Sequence, residues 1–187
     1  MEDLLQASVS SAARATETGY SEDVSRQIVD ICGDSGISLV ASLPDDWIGQ
    51  TIARFEQDNR FTHIPVNREE SALALCSGAF LSGTGAMALM GASGLMTLVY
   101  AITKINYTYE IPIFILVTQR GSLDDGAKFH VSNGLYFDDV VKSIDLPCTV
   151  IESREELPKI AEAYHHAKKI SRPTIAVLPK KLLLGKV

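Results

Sequence analysis

Apolar residues recur along this chain at two spacings, one near four residues and one near continuous, and the two alternate. Ser21 is an N-cap type, and Glu22 and Asp23 suit the positive end of a helix that follows it. Val24, Ile28, Ile31 and Cys32 then repeat at helical spacing until Gly33 and Gly36 interrupt the pattern. Residues 37–41 (ISLVA) read as a short buried strand with the exit loop Leu43–Asp46, followed by a helix from Trp47 to Phe55 and a second strand over residues 62–66 (THIPV). A third helix starts at Glu69, a strand covers Ala86–Met90, and a fourth helix runs from Gly94. Residues 111–118 (IPIFILVT) are nearly continuous in branched apolar side chains, as a parallel strand covered on both faces must be. A strand at 148–151, a helix from Glu155 to about Lys169 and a strand at 174–178 complete the series. Repeated strand–helix units of this kind predict an α/β fold, a parallel β-sheet with helices on both faces.

From Ser71 to Thr103 the chain carries no charged residue. The run is longer than the roughly 20 residues that span a bilayer. Glycines at 78, 83, 85, 91 and 94, with several Ser and Thr, favour helix, strand and helix inside a sheet instead. Glu69 stands at the lip of this block. A carboxylate there is poorly solvated, which favours sharing a proton and therefore acid–base chemistry.

Composition narrows the picture further. The 187 residues are 46% hydrophobic, enough for one domain with a real core. A net charge of -6, with no basic run beyond Lys168-Lys169 and Lys180-Lys181, excludes the clustered cations that nucleic acid needs. Cys32, Cys76 and Cys148 are odd in number and set among apolar residues, the usage expected of reduced thiols in a cytoplasmic protein. Residues 1–20 have neither a basic start nor a continuous apolar stretch, so they are no signal peptide and read as a flexible N-terminal arm. A single domain is expected over 21–187.

Ligands of parallel sheets sit outside the carboxyl ends of the strands. The candidate loops are therefore Leu43–Asp46, Asn67–Glu70, Gly91–Gly94 and Thr118–Gly134, the last rich in polar groups: Arg120, Asp124, Asp125, Lys128 and His130. Each has a plainer reading. Glu69 and Glu70 occupy a helix first turn, where the dipole stabilises any acid by roughly 0.3–1 kcal/mol. Gly91-Ala-Ser-Gly94 offers backbone N–H groups at a helix start, yet lacks dinucleotide-fingerprint spacing, a P-loop lysine and a nucleophile elbow. His63 reads as a strand residue with no chemical role, and His165 and His166 as solvated. No His, Cys or Asp pair has metal-ligand spacing.

Taken together, Glu69 followed by Gly78 in REESALALCSGAFLSG resembles the pyrimidine-binding domain of thiamine diphosphate enzymes. Among these the chain is most similar to the sulfopyruvate and phosphonopyruvate decarboxylases. Arg68-Glu69-Glu70, Ser93-Gly94-Leu95, Arg120-Gly121, the run from Phe129-His130 to Gly134 and the Leu43-Pro44-Asp45 turn match that group's motifs in order, over about Ser21 to Leu182. The resemblance implies the thiamine diphosphate-binding fold, with Glu69 sharing a proton with the aminopyrimidine ring nitrogen. It implies cofactor contacts from Ser93, Gly94 and Leu95, proton handling and substrate contacts by Asp45 and His130, and a seat for an anionic substrate tail at Arg120. Three features depart from the pattern. Met96-Thr97 replaces Gly-Asn, Phe129 replaces Gln beside His130, and the Gly-Asp-Gly…Asn site for diphosphate and Mg²⁺ appears nowhere. The implied protein is thus the pyrimidine-binding alpha subunit of a 2-oxo acid decarboxylase. Its diphosphate-binding beta subunit holds thiamine diphosphate and Mg²⁺ at the other end, in a hetero-oligomer with at least two copies of each subunit and their apolar loops, including Leu95, Met96 and Phe129, in contact. A catalytically silent scaffold subunit of the same fold, favoured by Met96-Thr97, and an unrelated nucleotide-binding module are the alternatives.

Overall fold

The computed structural model describes residues 21–123 and 125–187; the expected N-terminal arm and Asp124 lie outside them. Six strands form one sheet, every neighbouring pair parallel, in the order β2-β1-β3-β4-β6-β5. The strands are β1 Leu39–Ser42, β2 Thr62–Pro65, β3 Ala86–Gly91, β4 Phe114–Thr118, β5 Cys148–Val150 and β6 Thr174–Leu178. The α/β class read from the sequence is the class found.

Alternation along the central strands divides the core in two. Met87 and Leu89 of β3 and Phe114 and Leu116 of β4 point to one face, where α1 (Glu22–Asp34), α2 (Gly49–Gln57) and α7 (Lys159–Ile170) cover them. Ala86, Ala88 and Met90, with Ile115 and Val117, point to the other, beneath α3 (Glu69–Leu81), α4 (Ala92–Thr97) and α6 (Val131–Ser143). The short helices α5 (Val99–Ala101) and α8 (Lys180–Leu183) complete the set. Each face is sealed by apolar side chains, which is why β3 and β4 read as unbroken apolar runs.

The elements at the ends of the apolar block follow local chemistry. The Ser21 hydroxyl accepts from Val24 N–H at 3.3 Å, the cap expected at that position. The charge-free block is α3, β3 and α4, and among the described residues no helix is long and apolar enough to cross a membrane. After α4 the helical path runs on through α5 into a π-helical segment, Ile102–Tyr107, rather than one regular helix. There Asn106, fully buried, donates to Ser77 Oγ at 3.0 Å and to the Ile111 carbonyl at 3.1 Å, tying the segment to α3 and to the chain entering β4.

Two expectations change. Thr118–Gly134 is not one long loop: the irregular stretch ends at a 3₁₀ turn, Lys128–His130, and α6 follows at once. The pattern of apolar residues gives no helix over 131–143, because Leu135 and Tyr136 face outward while only Phe137 and Val141 of the apolar side chains are buried, so no clean stripe shows. The helix expected from Glu155 opens instead as a 3₁₀ turn at Arg154–Glu156, and regular α-helix starts beyond Pro158, whose fixed φ suits a helix start.

Candidate functional site

The strand order turns back between β1 and β3, and residues that follow β1, β2, β3 and β4 (Asp45, Glu69, Gly94 and Arg120) come together around it. One close approach is between Glu69 and Gly94. Glu69 is the first residue of α3 and half-buried; Gly94 lies inside α4. A Cβ placed on Gly94 would stand 2.4 Å from both Glu69 Cγ and Oε1, so the carboxyl group rests directly on the glycine. Only a residue without a side chain permits that seat. Neighbouring Glu70 is different: its own backbone N–H and then Arg68, 3.3 Å away, hold its carboxyl below the usual carboxylate range. Of the two acids that the sequence offers, only Glu69 faces the strand-end loops.

The second cluster joins Asp45 and Arg120. Arg120 donates from Nε and Nη2 to Asp45 Oδ2 at 2.9 and 2.6 Å, with both side chains nearly sealed from water. Asp45 Oδ1 accepts from Trp47 N–H at 2.9 Å, and the Arg120 guanidinium lies 4.0 Å above the Trp47 ring. Lys180 Nζ approaches the same ring to 5.0 Å. Asp45 also touches β3, since a Cβ on Gly91 would meet its Oδ2 at 2.7 Å. The two residues expected to act separately are one ion pair. Removing either partner would leave a buried charge, a loss of about 3–5 kcal/mol.

His130 is buried at the start of α6, with Nδ1 2.9 Å from Asp125 Oδ2 and the Phe129 ring packed edge-on at 4.2 Å. Burial, the largest influence on Asp125, raises its pKa. The Gly121 N–H, His130 and the Ala127 N–H together outweigh it, so the carboxyl lies below its ordinary range. The loop is fixed by two glycines: a Cβ on Gly121 would meet Gly134 N and the His130 carbonyl at 2.3 Å, and Gly121 has φ +77°. The spacing between Arg120-Gly121 and Gly134 therefore records a backbone crossing, where neither strand of the turn leaves room for a side chain.

Other residues fall differently from the sequence reading. Ser93 is exposed beside Gly94, but Leu95, expected on an exposed loop, turns its side chain into the core, so only its backbone can face a ligand or a partner. Met96 is partly buried and Phe129 is 78% exposed. His63, in strand β2 as expected, ties that strand to its neighbours: Nε2 lies 2.7 Å from Ser42 Oγ and Nδ1 3.3 Å from Glu56, and burial, opposed by Glu56, lowers its pKa. Ser42 is wholly buried, so that trio has no opening for a substrate. His165 and His166 are exposed as expected. Among the described residues no group of three His, Cys, Asp or Glu could hold a metal. Nothing marked Trp47 or Asn133 as site residues in advance: Trp47 read only as a helix start and Asn133 as an unspecified position before Gly134, and their contacts alone bring them to the site.

No family model matches the chain. Its fold is shared with a 2-oxoglutarate:ferredoxin oxidoreductase from Magnetococcus marinus, at a TM-score of 0.68 and 15% identity, over 85% of this chain and 29% of that one. Sulfopyruvate decarboxylase of Methanosarcina acetivorans is 29% identical over 163 residues, 87% of this chain; the match takes in 42% of that longer protein. The sulfopyruvate decarboxylase subunit alpha of Methanococcus maripaludis is 30% identical over 127 residues, which cover 68% of this chain and 76% of that subunit. With identity at that level over most of both chains, this chain belongs to the family of the sulfopyruvate decarboxylase alpha subunits.

Proposed function

We propose that the chain is the pyrimidine-binding subunit of a thiamine diphosphate-dependent decarboxylase of sulfopyruvate or a closely similar 2-oxo acid, working with a separate subunit that holds the diphosphate and Mg²⁺. The observation that carries this reading is the Glu69 carboxyl seated on Gly94 at the point where the sheet order reverses. The donor set fits the cofactor's ring end: a half-buried carboxylate that can share a proton, with the exposed Ser93 hydroxyl beside it. It does not fit the diphosphate end, which needs oxygen ligands around Mg²⁺ that no described cluster supplies.

Bound thiamine diphosphate supplies the electron sink into which CO₂ loss proceeds. The chain's own groups do the rest. Glu69 holds and shares a proton at its carboxyl, a role for which Glu70, committed to Arg68, is unsuited. Arg120, stacked on Trp47 and paired with Asp45, is the guanidinium at the strand ends that an anionic substrate tail would engage by sharing it with Asp45. His130, backed by Asp125, can carry a proton between substrate and solvent. The apolar layer under α3 and α4 keeps water from Glu69 on the sheet side.

The test is Glu69→Gln in enzyme assembled with the partner subunit, assayed by CO₂ release from sulfopyruvate. Gln keeps the shape but not the shared proton, so turnover should drop at least about a hundredfold. Normal turnover by Glu69→Gln would refute the assignment, and a loss confined to Glu70→Gln would move it by one residue.

A further inference from the structure

Asn133 fills an unspecified position of the run from His130 to Gly134, yet it is 2% exposed and its Nδ2 donates to Ser93 Oγ at 2.7 Å. It sits in the first turn of α6, the helix whose start is pinned by the Gly121–Gly134 crossing and by Asp125 against His130. Ser93 is in α4, next to the glycine on which Glu69 rests. A hydroxyl has one hydrogen to give and two lone pairs. With Asn133 donating into one lone pair, the Ser93 hydrogen is left to point away from Asn133, on the exposed side of α4. The bond runs in this direction because the amide NH₂, not the amide oxygen, faces the hydroxyl; turning the amide would reverse it.

We infer that Asn133 is a positioning residue that makes Ser93 a hydrogen-bond donor, and that Ser93 gives this bond to an acceptor oxygen of the 2-oxo acid, its carboxylate or keto group. The inference rests on the decarboxylase reading above for its ligand, but the link between the two side chains stands apart from that reading.

The experiment is a double-mutant cycle with Ser93→Ala, Asn133→Ala and the pair, together with Asn133→Asp, whose ionised carboxylate can only accept and so draws the Ser93 hydrogen inward. In the assembled enzyme acting on sulfopyruvate, Ser93→Ala should raise KM about tenfold, the size of one lost hydrogen bond, with a smaller change in kcat. Asn133→Asp should match Ser93→Ala, and the pair should be no worse than Ser93→Ala alone. KM effects that simply add, or a KM for Asn133→Asp like that of the parent, would overturn the inference. Urea unfolding of the chain by itself gives the second reading. The midpoint shift of the pair should fall short of the two single shifts combined; independent shifts would mean the side chains are not coupled and would also overturn it. Should the assembled parent release no CO₂ from any 2-oxo acid, the decarboxylase reading fails and with it the substrate oxygen as Ser93's acceptor, while the unfolding cycle still decides the link.

Discussion

Gly94→Ala offers the sharpest test of the site, because the structure separates its effect on Glu69 from its effect on the fold. The new methyl would lie 2.4 Å from Glu69 Cγ and Oε1 and 2.7 Å from Cδ, so its three nearest neighbours are all Glu69 side-chain atoms. Ordinary carbon contacts begin near 3.5 Å, so the carboxyl must retreat by about 1 Å. It can do so by rotating about the bonds of a flexible side chain. A misplacement of about 1 Å in a reacting group costs on the order of a hundredfold in rate, about 2.7 kcal/mol of barrier. The fold itself should not suffer. Gly94 is in a helix, where replacing glycine by alanine adds about 0.5–1 kcal/mol of stability, less whatever the displaced carboxylate loses. Steady-state decarboxylation by the assembled enzyme and thermal unfolding of the same preparation check both halves. Gly49→Ala, where an added Cβ meets nothing within 4 Å, serves as the control. A Gly94→Ala enzyme that turns over at the parent rate would show that Glu69 does not work from the seat seen here. One that fails to fold would show that the glycine is needed for packing instead.

Gly121→Ala should do the reverse, because its Cβ would strike backbone atoms at 2.3 Å and its φ of +77° disfavours any side chain; a loss of roughly 3 kcal/mol or more, near 10 °C in Tm, is expected in thermal unfolding. His130→Ala should lower kcat by about a hundredfold while thiamine diphosphate affinity, read by calorimetry on the assembled enzyme, changes little; an equal loss of affinity would take His130 away from the substrate. The chain without its partner should show no turnover and bind thiamine diphosphate and Mg²⁺ weakly, and light scattering after co-expression should find a hetero-oligomer with at least two copies of each subunit. Turnover by the chain alone would refute the two-subunit account.

Periodicity was enough to read the architecture, because strands covered on both faces and helices covered on one leave different marks on the order of apolar residues. The runs at 86–90 and 114–118 and the repeats at 24–32 show this most plainly, and β3, β4 and α1 are found where they point. Glu69 was legible for a related reason: a carboxylate opening a charge-free block has few explanations. The α6 helix was not legible, since its exposed Leu135 and Tyr136 blur the stripe that Phe137 and Val141 would have drawn. Contacts between distant residues were beyond any local pattern. That Asp45 and Arg120, 75 positions apart, form one buried pair on Trp47, and that Asn133 reaches Ser93 across 40, follows from the sheet order, which brings the ends of β1, β3 and β4 side by side. The same holds for the glycines. The sequence shows Gly94, Gly121 and Gly134 as interruptions, and only the tertiary structure shows what fills the space where a side chain would be: a carboxyl group in the first case, and in the other two the backbone of a neighbouring turn.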